Sequence, residues 1–235
     1  MSVSTEASAV RCVKEAPSLI IFDCDGVLVD SEPLSLSTLA DLLRRLGLAI
    51  DDRDAIDRFR GRRIAECLAE VEQQFDYRLP AGFEERFREE AAKRFVTDLQ
   101  AVQGVAQALD SIYVPTCVAS SAPLKKIRLT LSLTGLLDRF DGRIFSAYEI
   151  GAWKPDPTLF MHAARVMGAP SSRTVVIEDS VVGVQAGVAA GMTVLGFAPG
   201  ERMNELARAG AAATFSSMDQ LSKLIPHSKS LSAHQ

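Results

Sequence analysis

Leu19-Ile20-Ile21-Phe22-Asp23-Cys24-Asp25-Gly26 runs four apolar residues straight into two carboxylates set one residue apart. An apolar run this short, bounded by Asp and Gly, reads as a strand buried on both faces. The acids then stand at its carboxyl end, where one can attack a phosphoryl group and the other can move protons. Cys24, between them, reads as a bystander pointing to the other face of the strand end.

From Pro33 to about Gln100 the pattern around this strand changes to helical spacing. Leu39, Leu42, Leu43 and Leu46 recur until Gly47 ends the run. Ile64, Cys67, Leu68, Val71 and Phe75 follow the same rule, as do Phe83, Phe87, Ala91, Phe95 and Leu99 after the break at Pro80. After Gln103, short apolar strands near 116–119, 144–145, 174–177 and 193–197 alternate with helices near 104–110, 123–133, 158–167 and 181–190. Alternation of this kind implies right-handed crossovers and a parallel sheet covered on both faces. The strand at 19–22 belongs in that sheet, so the helical stretch is an insertion. The fold class expected is α/β: a doubly wound parallel-sheet core with a small all-helical domain inserted. Its parts are a mobile leader at 1–16, a core of 17–32 and 101–226, a helical insertion at 33–100 and a disordered polar tail at 227–235.

With 235 residues the chain can bury a substantial core. A net charge of -4, scattered lysines and arginines, and 6% aromatic residues give neither a basic stripe nor a stacking platform, so no nucleic-acid partner is expected. Cys12, Cys24, Cys67 and Cys117 are isolated, without a C-x-x-C pair, which fits reduced thiols better than a disulfide framework or a zinc site. The apolar stretches are too short to cross a bilayer, and the first residues lack the pattern of a secretory signal. A cytoplasmic protein without a membrane partner is expected.

Ligands of open parallel sheets collect at the carboxyl ends of the strands. Asp23 and Asp25 follow the first strand, Ser120 and Ser121 the second, and Glu178 and Asp179 the fourth, while Lys154 lies in the loop after the short third strand. Acids, hydroxyls and one ammonium suit a divalent cation plus a phosphoryl group. Each piece also has a plainer reading: Asp-x-Asp-Gly as a turn, Ser120 and Ser121 as caps of the helix that Pro123 helps start, Lys154-Pro155 as a solvated turn, and Glu178-Asp179-Ser180 as another helix cap. A calcium loop counted from Asp23 fails, because Val27, Leu28 and Leu34 stand where Asp or Asn, Gly and Glu are needed. What favours a site is that four signals fall along one edge of one sheet.

Four segments together resemble the haloacid dehalogenase superfamily, in its branch of phosphatases and phosphomutases with a helical cap and a Rossmann-like core. They are Asp23-x-Asp25-Gly26-x-Leu28-x-Asp30-Ser31-Glu32, Val118-Ala119-Ser120-Ser121, Lys154-Pro155-Asp156-Pro157, and Ile177-Glu178-Asp179-Ser180 with Gly183, Gly187 and Gly191 behind it. The resemblance implies an aspartyl-phosphate mechanism with Asp23 as nucleophile and Asp25 as acid/base. It implies Mg2+ held by the Asp23 carboxylate, the Asp25 main-chain carbonyl, Asp179 and Glu178, with the phosphoryl group held by Ser120, Ser121 and Lys154. Ser31, Glu32, Gly61, Arg62 and Arg63 are the candidates for hinge and cap contacts to substrate.

The activity expected is Mg2+-dependent hydrolysis of a small phosphomonoester, a sugar phosphate or sugar-acid phosphate. Asp25 argues against carbon-halogen cleavage, since the dehalogenating members of the superfamily lack that second acid. A sugar phosphomutase of the beta-phosphoglucomutase type is the alternative. Ser35 and Ile64 stand where that pattern carries histidine and arginine, with Arg62 and Arg63 nearby. A non-catalytic phosphometabolite-binding module would lack a core acid, and none is lacking. Oligomeric state is not readable from these features.

Overall fold

The structure is a computed structural model that describes residues 13, 15–199 and 202–226. Most of the leader expected at 1–16, and all of the tail expected at 227–235, lie outside those residues. Val13 is buried against the core.

Six strands form one all-parallel sheet in the order β3-β2-β1-β4-β5-β6. They are β1 (Leu19–Phe22), β2 (Thr116–Ser120), β3 (Ile144–Ser146), β4 (Thr174–Glu178), β5 (Thr193–Phe197) and β6 (Ala213–Phe215). β1 lies at the centre, paired to β2 through Ile21 and Cys117 and to β4 through Ile21 and Val176. All four of its residues are fully buried, which is what an unbroken apolar run between two helical layers requires. Alternate side chains enter different cores. Ile20, Phe22, Val118 and Ile177 join one cluster, while Leu19, Ile21, Ala119 and Val176 join another with Leu159, Phe160, Ala163 and Val184. This is the doubly wound, Rossmann-like arrangement expected.

Between β1 and β2 the chain forms α1 (Glu32–Arg45), α2 (Asp52–Phe59), α3 (Ile64–Phe75), α4 (Phe83–Asp98) and α5 (Val105–Asp110). α1 carries Glu32 and a proline in its first turn and Arg44 with Arg45 in its last, charges that complement the helix dipole. Asp51 caps α2 by accepting the Asp54 N–H at 2.7 Å. Phe83, Phe87, Ala91 and Phe95 bury one stripe of α4 at four-residue spacing. α1 packs against α2 and α4, and the buried apolar residues of the first four helices run on into the cluster that holds Ile20, Phe22 and Val118 of the sheet.

After β2 come α6 (Leu124–Leu133), α7 (Leu137–Phe140), α8 (Ala147–Ile150), α9 (Thr158–Val166), α10 (Val181–Ala189), α11 (Met203–Arg208) and α12 (Leu221–Leu224). The strands read from sequence at 116–119, 144–145, 174–177 and 193–197 correspond to β2, β3, β4 and β5. β6 and the helices α7, α8, α11 and α12 were not expected. Each spans three to six residues, too short to display a period. Among the described residues no helix is long and apolar enough to cross a membrane.

Candidate active site

Asp23 leaves β1 with its N–H still bonded to the Ile177 carbonyl of β4 at 3.0 Å, so its carboxylate stands at the carboxyl edge of the sheet. The Lys154 Nζ donates to Asp23 Oδ1 at 2.7 Å and to Glu178 Oε1 at 2.5 Å. The other Glu178 oxygen, Oε2, accepts the N–H and hydroxyl of Ser180 at 3.0 and 2.9 Å. Ser180 in turn caps α10 by accepting the Gly183 N–H at 3.0 Å. The capping reading is therefore right for Ser180. It also has a second job, because the cap steers Glu178 onto Lys154.

Close packing explains two glycines in these motifs. A Cβ on Gly183 would lie 1.9 Å from the Glu178 carboxyl carbon. Gly26, at φ +82°, turns the chain after Asp25, and a Cβ there would fall 2.3 Å from Asp179 Oδ2. Side chains at either position would push the acids apart.

Asp23, Glu178 and Asp179 are all buried, and their candidate ligand atoms lie within 4.8 Å of one another. Among the described residues Lys154 is the one ammonium bonded into this group, which leaves an excess of negative charge. Burial raises the Asp23 carboxyl to about 7, against the pull of Lys154 and with further push from Glu178. Asp179 is driven well above the usual carboxylate range by burial, then by Glu32, Glu178 and Asp23, with Arg202 partly offsetting them. Burial opposes the charge on Lys154, yet Asp23 and Glu178 outweigh it and hold its pKa above the ordinary value. Crowded oxygen donors short of positive charge are the donor set a hard divalent cation takes. The residues present therefore fit Mg2+.

Asp25 is held apart from that cluster. Its Oδ1 accepts the Ser31 hydroxyl, and its Oδ2 accepts Lys126 Nζ at 2.9 Å. Sequence reasoning missed Lys126, which looks like half of a solvated Lys125-Lys126 pair. The available signal was position: it lies in the first turn of a helix that starts at the site edge of the sheet. Its ammonium also lies 5.8 Å from the Phe95 ring centroid of α4.

Ser120 is buried at the end of β2, and its hydroxyl accepts the Ala122 N–H at 3.1 Å. This is a local turn contact. The cap position of α6 belongs instead to Pro123, which makes no side-chain capping bond. Glu32 Oε1 accepts the Gly61 N–H at 2.6 Å, and Arg60 Nε lies 3.2 Å from Glu32 Oε2, so the start of α1 is tied to the turn after α2.

A cavity of about 460 Å³ lies between the sheet edge and the helical block. Asp23, Asp25, Ser120, Ser121, Lys154 and Asp179 line its floor. Glu32, Gly61, Arg62 and Arg63 line the same cavity, so it also gathers four of the five hinge and cap candidates. Ser31 is fully buried behind Asp25 and does not line it, and neither does Glu178 behind Lys154. Arg62 is turned to Glu70, with Nη1 donating to Oε2 at 2.7 Å. Ser35 and Ile64 line the cavity as well.

The family model for haloacid dehalogenase-like hydrolases matches residues 20–197. The 6-phosphogluconate phosphatase of Escherichia coli is 34% identical over 179 residues, covering 76% of this chain and 81% of that protein. A conserved haloacid dehalogenase-like protein of unknown function from Agrobacterium tumefaciens superposes with a TM-score of 0.79 at 34% identity, over 88% of this chain and 97% of that one. The structure of a putative beta-phosphoglucomutase from Thermotoga maritima gives a TM-score of 0.72 at 26% identity, again over 88% and 97%. The chain belongs to the haloacid dehalogenase-like hydrolases, in a part of that family whose named relatives include phosphatases.

Proposed function

We propose that this protein is a Mg2+-dependent phosphatase that hydrolyses a small sugar phosphate or sugar-acid phosphate through an aspartyl-phosphate. The observation that carries the reading is the division of labour between two acids one residue apart. Asp23 faces the cation-type cluster and Lys154, whereas Asp25 is held by Ser31 and Lys126. A nucleophile needs its negative charge and an open line to phosphorus. An acid/base needs a separate environment from which to give and take a proton.

In this mechanism an Asp23 oxygen attacks phosphorus and the P–O ester bond breaks. Asp25 gives its proton to the leaving alkoxide. It then takes a proton from the water that attacks the aspartyl-phosphate, which frees inorganic phosphate and restores Asp23. Lys154, Ser120 and the Ser121 main chain hold phosphoryl oxygens as charge shifts in the transition state. Asp23, Asp179 and the Asp25 main-chain carbonyl would hold Mg2+, with Glu178 beside them. When bound, the ion neutralises charge at the cluster and at the phosphoryl oxygens.

The helical block acts as a cap that keeps water from the reacting group, with Glu32, Gly61, Arg62 and Arg63 on the wall that faces the substrate. The sugar-acid option draws on the name of the Escherichia coli relative and on these cap arginines. A mutase remains the second reading because of the Thermotoga maritima likeness. Ser and Ile at positions 35 and 64 of the cavity wall disfavour it, since neither supplies the charge a second phosphate needs. Cys24, Cys67 and Cys117 are free thiols, which suits a cytoplasmic setting.

The test is phosphate release across a panel of sugar phosphates and sugar-acid phosphates, with and without Mg2+, and with Asp23→Asn as control. Release that survives Asp23→Asn, or needs no metal, would overturn the mechanism. Conversion of a hexose 1-phosphate to the 6-phosphate with little free phosphate would favour the mutase.

A further inference from the structure

We propose that Arg63 and Arg88 of the helical block clasp the Tyr148 and Trp153 rings of the core, and that this clasp sets the position of Lys154. Its second half rests on the phosphatase reading, in which Lys154 holds the phosphoryl group.

The contacts run through one short segment. The Arg63 guanidinium carbon lies 4.0 Å from the Trp153 ring centroid. Arg88 lies 5.4 Å from the Tyr148 centroid, and its Nη2 donates to the Tyr148 oxygen at 2.8 Å. The two rings meet edge to face, with centroids 5.3 Å apart and an interplanar angle of 81°. Tyr148 lies in α8, directly after β3, and Trp153 is the residue before Lys154. The segment gripped by two arginines of the block thus ends in the ammonium that bonds Asp23 and Glu178.

Among the described residues Trp153 Nε1 is buried without a hydrogen-bond partner, so the faces of the indole and not its N–H set the ring orientation. Arg63 makes no ion pair among the described residues, whereas its neighbour Arg62 is tied to Glu70. A guanidinium matched by a ring and by no carboxylate is free to leave when the block moves and to return when it closes. Movement of the block therefore pulls on the residue next to Lys154. Both arginines, Tyr148, Lys154 and Asp23 line the same cavity, so the clasp borders the space that substrate fills.

Trp153 is the only tryptophan of the chain, so its fluorescence reports the contact directly. The experiment compares full-length wild type, Arg63→Met, Arg63→Lys and Arg88→Leu, each with Mg2+ and titrated with inorganic phosphate. Thermal unfolding of each variant verifies that it is folded. In Arg63→Met the emission maximum moves to the red and most of the phosphate-induced change is lost. Its kcat falls between about threefold and thirtyfold with KM little altered, and Arg63→Lys recovers part of both. Arg88→Leu moves the same quantities in the same direction.

Wild-type emission and kcat in Arg63→Met overturn the clasp and leave the phosphatase reading standing. A loss confined to KM overturns it too, making Arg63 a plain substrate contact. A wild type inactive on every phosphomonoester overturns the phosphatase reading, and the emission comparison then decides the clasp alone.

Discussion

The carboxyl edge of the sheet and the helical block both carry networks of opposite charges, but in different surroundings. At the edge, Lys154 and Glu178 side chains are 4% and 0% exposed. In the block, Arg62 and Glu70 are each 36% exposed, and Arg58 with Glu70 is similar. Water screens the second network and barely reaches the first. A buried charge without a partner is expensive, so the edge holds its groups in one arrangement; an exposed pair contributes little and can rearrange. In the proposed function, chemistry falls to the rigid edge and selection among substrates to the adaptable wall.

The sharpest test of that contrast is Asp23→Asn. Loss of the attacking oxygen should lower kcat by about four orders of magnitude or more. Thermal unfolding without Mg2+ should be unchanged or shifted upward, because one of three crowded acids no longer carries charge. A large activity loss together with a large stability loss would mean that Asp23 serves the fold.

Gly183→Ala should produce a smaller but still large effect from a position that touches no substrate. The added methyl cannot fit 1.9 Å from the Glu178 carboxyl carbon, so either α10 shifts or Glu178 leaves Lys154. A stability loss of about 1–3 kcal/mol by urea unfolding is expected, with a fall in kcat as Lys154 loses an anchor. The reverse change at an exposed helical position of the block, Ala65→Gly, should cost about 1 kcal/mol and leave kcat unaltered.

Metal removal probes the same edge. The raised Asp23 carboxyl, near 7 against an ordinary 3.8, binds a proton more tightly in the folded chain than in the unfolded one. Its contribution to stability is fully present below about pH 4 and is lost as pH rises through about 7. Mg2+ should compensate for the charge that then appears. The rise in unfolding temperature on adding Mg2+ should therefore be larger at about pH 8 than at about pH 5. At a hundredfold excess over Kd the ion adds about 2.7 kcal/mol, a shift of about 5–10 °C for a chain of this size. Asp179→Asn should remove most of that shift. Equal shifts at both pH values would refute the linkage.

The same contrast explains what could be read in the sequence. The edge was legible because its chemistry is local: Asp23 and Asp25 share a motif, and Glu178 and Asp179 are adjacent at the end of another apolar run. Strand ends converge in a parallel sheet, so order along the chain was enough to bring them together. Lys126 was not legible, since only the start of α6 beside Ser120 and Ser121 tells which end of a lysine pair faces Asp25. Ser31 was marked as a hinge, but its hydroxyl bonds Asp25, a contact across the loop that spacing does not reveal. The partners of Trp153 and Tyr148 were not legible for a related reason, because Arg63 and Arg88 lie in another layer. β6 escaped because Ala213-Thr214-Phe215 is too short to display a period, and its pairing with β5 is what marks it as a strand.

Glu70→Gln is the mildest change and the one that most finely separates wall from edge. Glu70 accepts Arg58 Nη2 and Arg62 Nη1, both at 2.7 Å, which holds its carboxyl below the usual range. Its pairs are exposed enough that removing the charge should cost no more than about 1 kcal/mol in urea unfolding. Arg62, however, lines the cavity, and without Glu70 its guanidinium is free to turn toward a bound anion. KM for an anionic sugar phosphate should fall a few-fold while kcat stays at the wild-type value. A change in kcat instead would mean that the ion pairs of the block reach the edge, and that the wall is less independent of the chemistry than its exposure implies.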